Sequence, residues 1–232
     1  LRSIIKQLDN CQKTMSISLF PESIQDNYEI LEYKNGISIL THAYPREWRD
    51  LIDLLESFVL KRSEILAPGG RKSSIADQLD GFLYRRGWNE TEFDVDIRLR
   101  EIAFRREIDH RGRSRIREDI KDDVTLDVPT HKIDCFKNQV AIEVEWNNKD
   151  PFFDRDLNNF RLLFDLDAIA VGVIITRSSE LQNIFNELGK GDSYGASTTH
   201  MGKLESKLFG KGSGGCPVIA IGITSRVYDD RS

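Results

Sequence analysis

The apolar and polar positions of the chain follow two periods, and several segments predict β-strands. Residues 28–33 and 37–41 flank an Asn-Gly pair, so they predict a β-hairpin. The continuous apolar run at 168–176 is typical of a strand that is covered on both faces. Residues 217–224 predict the last strand, and a long loop rich in Gly, Ser and Thr is expected before it, over 189–216.

Apolar residues recur at helical spacing in the segments between these strands. This spacing predicts helices over 46–60 and 75–86. A further helix is expected after Asp150 and Pro151, and a capping-box pattern at residue 179 begins another. The alternation of helices and strands predicts an α/β fold in which a central mixed β-sheet is flanked by helices.

The composition sets the broad class of protein. Of the 232 residues, 39% are hydrophobic, which is enough for a single globular core. We therefore expect one domain over residues 1–232, with an arm or insertion at about 98–127. No apolar run reaches the roughly 18 residues that a membrane-spanning helix needs. The N-terminal residues lack a secretory signal pattern and the three cysteines are widely spaced, so a cytoplasmic protein without membrane, disulfide or zinc is expected.

Charge is segregated along the chain, although the net charge is only −5. Eight arginines lie within 98–118, whereas acidic residues cluster elsewhere, as at 119–123. Residues 94–127 follow no convincing period, so they form either an extended basic hairpin or a solvated, partly disordered insertion. Four arginines of this segment are candidates for phosphate contacts, and the alternative is that they belong to a solvated run of charge. They are Arg105, Arg106, Arg111 and Arg113.

Three acids in the segment HKIDCFKNQVAIEVEW, at 131–146, form a candidate metal site. Strict alternation places Glu143 and Glu145 on one strand face, with backbones roughly 6–7 Å apart. Asp134 lies across a turn on the neighbouring strand and can reach the same point. Carboxylates without thiols or imidazoles suit Mg²⁺, which stabilises the charge on a reacting phosphodiester and activates water. The alternative is that these acids form the solvent-exposed face of an amphipathic hairpin.

Asp134, followed after about ten residues by Glu143-Val144-Glu145, resembles the core of the PD-(D/E)xK nucleases. Glu145 stands where most members have Lys, so the role of that Lys in activating water cannot be carried over. The Pro-x-x-Trp helix start, the Gly-Trp step at 87–88, the VAIEVEW strand and the final strand resemble the BglII/BstYI group of type II restriction endonucleases. The similarity extends over about two thirds of the chain. It implies a restriction-endonuclease-like fold and Mg²⁺-dependent cleavage of double-stranded DNA at a short palindromic site.

The resemblance also implies a role for each acid. Asp134 and Glu143 would ligate the metal, and Glu145 would bind the metal or position the attacking water. Glu90 or Glu92, in the loop that precedes the basic segment, would support catalysis; the alternative is that both are solvated loop charges.

Two polar segments are candidates for reading the DNA sequence. Asn147, Asn148 and Lys149 follow the acidic strand, where the family places base contacts, and these residue types suit adenine and guanine. The loop at 194–200 resembles the family's second recognition loop, although it can also be read as a flexible glycine-rich surface loop. Its candidates are Ser197, Thr198 and Thr199 for base or phosphate contacts and His200 for a phosphate contact.

A palindromic site is best read by a two-fold symmetric protein, so a homodimer is expected. The resemblance further implies a cognate DNA methyltransferase that makes no direct contact with this chain. The sequence is also compatible with three other functions: a structure-specific repair or recombination nuclease with the same core, a catalytically inactive DNA-binding protein, and a metal-dependent hydrolase of small phosphate substrates. The absence of a compact phosphate-cradling glycine loop argues against the last.

Overall fold

The computed structural model of the protein describes residues 16–68, 73–195 and 197–231. The chain divides into two compact units: the inserted segment Glu92–Lys132, and the chain on both sides of it. Within the described ranges, no helix is both long and apolar enough to cross a membrane.

The larger unit begins with a mainly helical half. Its elements are α1 (Glu22–Asn27), β1 (Tyr28–Tyr33), α2 (Gly36–Ala43), α3 (Pro45–Ser57), β2 (Leu60–Lys61), α4 (Arg62–Leu66), α5 (Ser74–Tyr84) and β3 (Asn89–Thr91). The inserted unit contains β4 (Val95–Ile108) and β5 (Ser114–Val128). The chain then forms β6 (Ile133–Lys137), β7 (Val140–Glu145), α6 (Pro151–Asp165), β8 (Val171–Arg177), α7 (Gln182–Glu187), α8 (Met201–Phe209), β9 (Val218–Ile223) and β10 (Tyr228–Asp229).

A six-stranded sheet with the order β1-β9-β8-β7-β6-β3 is the centre of the larger unit. Strands β7, β8 and β9 are parallel, and the other pairings are antiparallel. Parallel neighbours need crossover connections, which α6 supplies between β7 and β8. All residues of β7, β8 and β9 are buried, as the apolar run at 168–176 predicts for one of them. The predicted mixed sheet flanked by helices is therefore confirmed.

The strand predicted over 37–41 is wrong, because this segment belongs to α2. Asn35 has a φ of 60°, which turns the chain, and the carboxylate of Glu32 accepts a hydrogen bond of 2.8 Å from the backbone N–H of Ile37. Ile37 and Leu40 are both buried, and their spacing of three fits one helix face. β1 pairs with the distant β9 instead.

The loop predicted over 189–216 contains a helix, α8, that the sequence interpretation missed. Met201, Leu204 and Leu208 are its buried residues, at spacings of three and four. This is the spacing of an amphipathic helix, but the surrounding Gly and Ser residues concealed it.

The smaller unit is an antiparallel hairpin of β4 and β5, the first of the two structures that the sequence left open. Its register shifts between Glu101 and Ile102. The extra residue is Lys121 of β5, since Asp122 pairs with Glu101 and Ile120 pairs with Ile102 while β4 continues without interruption. The apolar residues of β4 stand at odd positions up to Leu99 and at even positions from Ile102, so they change faces in mid-strand. A single period therefore does not describe the segment, although it is a regular hairpin on both sides of the shift.

Candidate active site

The β6–β7 hairpin places Asp134 next to Glu143. Cys135 pairs with Ile142, and the same register carried one residue further sets Asp134 opposite Glu143. The backbone N–H of Asp134 donates to Oε2 of Glu143 at 3.3 Å, and the backbone N–H of Val144 donates to Oδ2 of Asp134 at 2.9 Å. The two carboxylates are therefore adjacent, and the backbone of the hairpin orients both.

Glu143 and Glu145 are each only 1% exposed to solvent. β7 is an interior strand, between β6 and β8, and the helices cover both of its faces. The alternative of an exposed hairpin face is therefore wrong. Burial of a carboxylate is costly unless a proton or a cation compensates its charge, so this cluster has the character of a site rather than of a solvated surface.

A fourth acid, Asp156 of α6, joins the cluster. It is fully buried, and a carboxylate oxygen of Asp156 lies within 4.8 Å of one of Glu143. The sequence interpretation missed it, although a signal was present. Asp156 follows Phe153 by three residues and precedes Phe160 by four, so it stands on the apolar stripe of α6.

Glu145 occupies a mixed environment of acids and donors. Nδ2 of Asn148 donates to Oε2 of Glu145 at 2.8 Å, and Nη2 of Arg155 donates to Oε1 at 3.3 Å. Burial, followed by the neighbouring carboxylate of Asp156, raises the pKa of Glu145 above its ordinary value. A nearby cation would therefore stabilise the charged form of Glu145.

Arg155 is a second site residue that the sequence interpretation missed. Its guanidinium donates to Oδ1 of Asp156 at 2.8 and 3.0 Å and lies 4.4 Å from the ring centre of Phe152. The side chain is 43% exposed while its partners Glu145 and Asp156 are buried. Its positive charge therefore lies next to the buried acids and is partly open to solvent.

A cleft of about 860 Å³ opens above the acids. Asp134, Glu145 and Arg155 line it, and so does Glu90, which is exposed on β3. The structure thus brings Glu90 to the predicted site. Glu92 is the first residue of the smaller unit and is exposed. Further acids of the cleft, absent from the sequence interpretation, are Asp77 and Asp80 of α5.

The two segments expected to read DNA lie side by side. Lys149 and Thr198 form an isolated antiparallel bridge. The backbone N–H of Thr199 donates to the carbonyl of Asn148 at 2.8 Å, and that of Asp150 donates to the carbonyl of Ser197 at 3.2 Å. Residues 147–150 and 197–199 are therefore paired side by side, and together they form one surface segment beyond the end of β7.

The side chains of this segment divide into supporting and exposed groups. The Thr199 hydroxyl is buried, donates to the carbonyl of Glu145 at 3.1 Å and accepts from the backbone N–H of Asn148 at 3.1 Å. The side chain of Asn147 donates to the carbonyl of Ser193 at 3.1 Å. Lys149 and Ser197 are exposed.

Thr198 and His200 are both close to the buried Arg177. Nη2 of Arg177 donates to the Thr198 hydroxyl at 3.2 Å and to the carbonyl of Tyr194 at 3.0 Å. Nδ1 of His200 is 3.1 Å from the Ser179 hydroxyl. Burial, and then the charge of Arg177, lowers the pKa of His200, so its ring is neutral at pH 7.

The four arginines expected to contact phosphate all belong to the smaller unit. Nε of Arg113 is 3.0 Å from a carboxylate oxygen of Asp109, and Nη2 of Arg105 is 3.8 Å from one of Asp119. Both arginine side chains are more than half exposed. Their ion pairs are on the surface and therefore weak, which leaves the guanidinium groups able to exchange partners. The remaining two are Arg106 and Arg111, which are also exposed.

A protein-family model described as restriction endonuclease BglII/BglIII matches residues 28–223. No curated protein matches the chain. The family match runs from the first residue of β1 to the last residue of β9, so it includes the whole six-stranded sheet and the acid cluster. The chain therefore belongs to the BglII/BglIII family of restriction endonucleases, which are type II site-specific deoxyribonucleases that cleave double-stranded DNA with the help of divalent metal ions.

Proposed function

We propose that this restriction endonuclease requires Mg²⁺ and cleaves a short palindromic DNA site as a homodimer in the cytoplasm, beside a cognate methyltransferase that it does not contact. The observation that carries the proposal is the pair of adjacent carboxylates formed by Asp134, which is half-buried and lines an open cleft, and the buried Glu143.

The donor set fits a hard divalent cation. Glu143 and Asp156 are almost completely buried and have carboxylate oxygens within 4.8 Å of one another, and the carboxylate of Asp134 is adjacent to Glu143. Mg²⁺ prefers oxygen ligands and retains water molecules, which a cleft of this size admits. When bound, the ion would stabilise charge on the scissile phosphate and lower the pKa of a water molecule.

The protein's own residues would bind and orient the reacting groups. Asp134 and Glu143 hold one another through backbone hydrogen bonds, which fixes their separation before substrate arrives. Asn148 fixes one oxygen of Glu145. Arg155 lines the cleft and is partly exposed, so we propose that it contacts the phosphate that the missing Lys would otherwise approach.

DNA recognition is proposed for the continuous segment that residues 147–150 and 197–199 form. Lys149 and Ser197 are exposed and would contact bases, while Thr199 and Asn148 position this segment against β7. Exposed arginines of the smaller unit would neutralise phosphates, which adds affinity without sequence preference.

A cleavage assay tests the proposal directly. The protein is incubated with mixed-sequence plasmid DNA with Mg²⁺ or with a chelator, and the ends of the fragments are sequenced. Discrete fragments with a common palindromic end sequence, formed only with Mg²⁺, are expected. Glu143→Ala should retain DNA binding and lose cleavage, whereas the exposed Glu187→Ala of α7 is the matched control and should cleave normally. Intact DNA at low salt and high enzyme would refute the proposal.

A further inference from the structure

Arg177, the last residue of β8, is a buried cation that the catalytic chemistry proposed above does not use. It is only 1% exposed, yet no carboxylate of a residue that the structure describes forms an ion pair with it. Burial lowers the pKa of Arg177 to about 10, so the guanidinium is still charged at pH 7. Burial of a charge without a countercharge is costly, so this position favours a bound anion.

Hydrogen bonds within the protein satisfy only part of this guanidinium. Nη2 donates to the carbonyl of Tyr194 at 3.0 Å and to the Thr198 hydroxyl at 3.2 Å, and it is 3.5 Å from Oε1 of Gln182. Nε is buried without a hydrogen-bond partner among the described residues, and Nη1 donates to none of them either. A brace for the loop at 194–198 needs Nη2 alone, so a structural role leaves the other donors unexplained.

Arg177 lines a surface cavity of about 170 Å³ together with Ser179, Gln182 and His200. Ser179 is exposed and the other two are half-buried, so they form the rim, while the buried arginine lies at the floor. At about 30 Å³ for each water molecule, this volume admits one tetrahedral oxyanion and a few waters. None of the four residues is acidic, and all four side chains can donate hydrogen bonds.

The charges near the rim do not neutralise the arginine. Burial, followed by the charges of Arg177 and Lys203, lowers the pKa of His200, while Asp150 opposes this shift. One acid therefore lies near the rim. Nζ of Lys203 and Nζ of Lys207 are 4.0 and 3.8 Å from the same oxygen of Asp150, so that acid already has two cationic neighbours. The charge of Arg177 is left for a ligand to compensate.

The cavity adjoins the surface segment of residues 147–150 and 197–199. Arg177 donates to the hydroxyl of Thr198, and Thr198 pairs with Lys149 in the bridge that joins the two parts of this segment. A protein segment that reads base edges has the sugar-phosphate backbone beside it, and contacts to that backbone fix the register of the protein on the duplex. The nearest source of an oxyanion for this cavity is therefore the DNA itself.

We propose that this cavity binds one phosphate of the DNA backbone and that Arg177 is the main donor to it. The planar guanidinium matches the oxygens of a phosphate, and Ser179 and His200 at the rim are placed to complete the contact. The inference rests on the DNA binding of the proposed function and names one of its phosphate contacts. Because Arg177 also holds Thr198, a phosphate in the cavity would fix the position of the recognition segment.

Thermal unfolding of the full chain tests whether the cavity binds an oxyanion. Sodium phosphate is compared with sodium chloride at equal ionic strength and pH 7. Inorganic phosphate at ten times its Kd should raise the Tm of wild type by about 3–6 °C, because it binds only the folded state. Ser179→Asp supplies a carboxylate to the same cavity, so this variant should fold as stably as wild type and lose the response to phosphate.

The matched control is Asn183→Asp, which adds the same charge at an exposed position of α7. It should respond to phosphate as wild type does, which also corrects for the general effect of the salt on folding. A wild-type Tm that is equal in the two salts would overturn the proposal. So would a response of Ser179→Asp that equals that of the control.

Binding of duplex DNA without Mg²⁺, at several salt concentrations, tests whether the bound phosphate belongs to DNA. Each phosphate contact contributes about 0.9 to the slope of log K against log salt concentration. Arg177→Met and Ser179→Asp should each lower this slope by about 0.9 per bound copy of the chain and raise the Kd about 10-fold to 100-fold, whereas Asn183→Asp keeps the wild-type slope. An unchanged slope in Ser179→Asp, with the response to phosphate lost, would assign the cavity to free anions and overturn the contact with DNA.

A double variant separates loss of the contact from simple repulsion of DNA. Arg177→Met/Ser179→Asp should bind DNA within about twofold of Arg177→Met alone, because both changes remove the same contact. Additive losses would show that the new carboxylate only repels DNA, and would overturn the proposal. If Arg177→Met fails to fold, the comparison of Ser179→Asp with Asn183→Asp decides the question by itself.

None of these measurements requires DNA cleavage, so the two proposals can fail separately. A chain that shows the phosphate response and the reduced slopes but cuts no plasmid would keep this site and refute the nuclease function. A chain that cuts plasmid DNA at a defined site but shows neither effect would refute this site alone.

Discussion

The substitution Glu143→Gln tests whether the buried acids await a cation. Glu143 and Asp156 have carboxylate oxygens within 4.8 Å of one another, and two full charges at that distance repel by about 3.5 kcal/mol at an effective dielectric of about 20. The Arg155 guanidinium, which donates to Asp156, offsets some of this repulsion. The neutral amide, which has nearly the same shape, should therefore raise the unfolding free energy of the metal-free protein by about 1–2 kcal/mol.

Calorimetric unfolding with and without Mg²⁺ measures both parts of this prediction. A protein of this size gains about 2–4 °C in Tm per kcal/mol, so metal-free Glu143→Gln should melt about 2–8 °C above wild type. Mg²⁺ at 100 times its Kd should stabilise wild type by about 2.7 kcal/mol, or about 5–10 °C, because it binds only the folded state. The variant should lose this response together with at least about 1,000-fold in cleavage rate.

The control for this experiment is Glu187→Gln, an exposed acid of α7, which should behave as wild type throughout. The reasoning fails if metal-free Glu143→Gln is less stable than wild type, since the buried charges would then not repel. It also fails if Mg²⁺ raises the Tm of wild type and of Glu143→Gln equally, since the ion would then bind elsewhere.

Four other substitutions test further features of the larger unit. Arg155→Gln should reduce cleavage by about 10²–10³-fold with little change in site preference, measured as single-turnover rates on cognate and altered sites. Thr199→Val removes the hydroxyl that bridges the carbonyl of Glu145 and the backbone N–H of Asn148. This change should lower the free energy of unfolding by about 1–3 kcal/mol, measured by denaturant unfolding. Gly172→Ala places a methyl group against the ring of Phe160 and should lower the free energy of unfolding by about 1–3 kcal/mol. Its control is Gly81→Ala in α5, where a methyl group has room, and this change should raise the free energy of unfolding by up to about 1 kcal/mol.

The local periods of apolar and polar residues were enough to predict most strands of the sheet and the main acids of the site. The 131–146 hairpin was predictable because alternation and a tight turn act over a few residues, and this register alone places Asp134 opposite Glu143. The helix α3 and the buried strand β8 were predictable for the same reason, since each has one clear period or one continuous apolar run.

Packing between elements decided the parts of the fold and of the site that local periods did not predict. Residues 37–41 alternate like a strand, yet β1 pairs with β9, 185–195 residues later in the chain. Residues 37–41 instead belong to α2, in which Ile37 is buried. Asp156 and Arg155 reach Glu145 because α6 packs against β7 and β8, and the periods of a single strand or helix do not encode that packing.

The candidate metal site shows the same division between what local sequence determines and what packing determines. Sequence alone determined which acids share a strand face, because side-chain direction follows from the two-residue repeat. Only the tertiary structure decided that this face is buried, that Thr199 and Asn148 support it from beneath, and that a cleft opens above it. Burial and long-range pairing depend on how whole elements pack, and the energy that selects among packings is spread over the entire core rather than stored in any one segment.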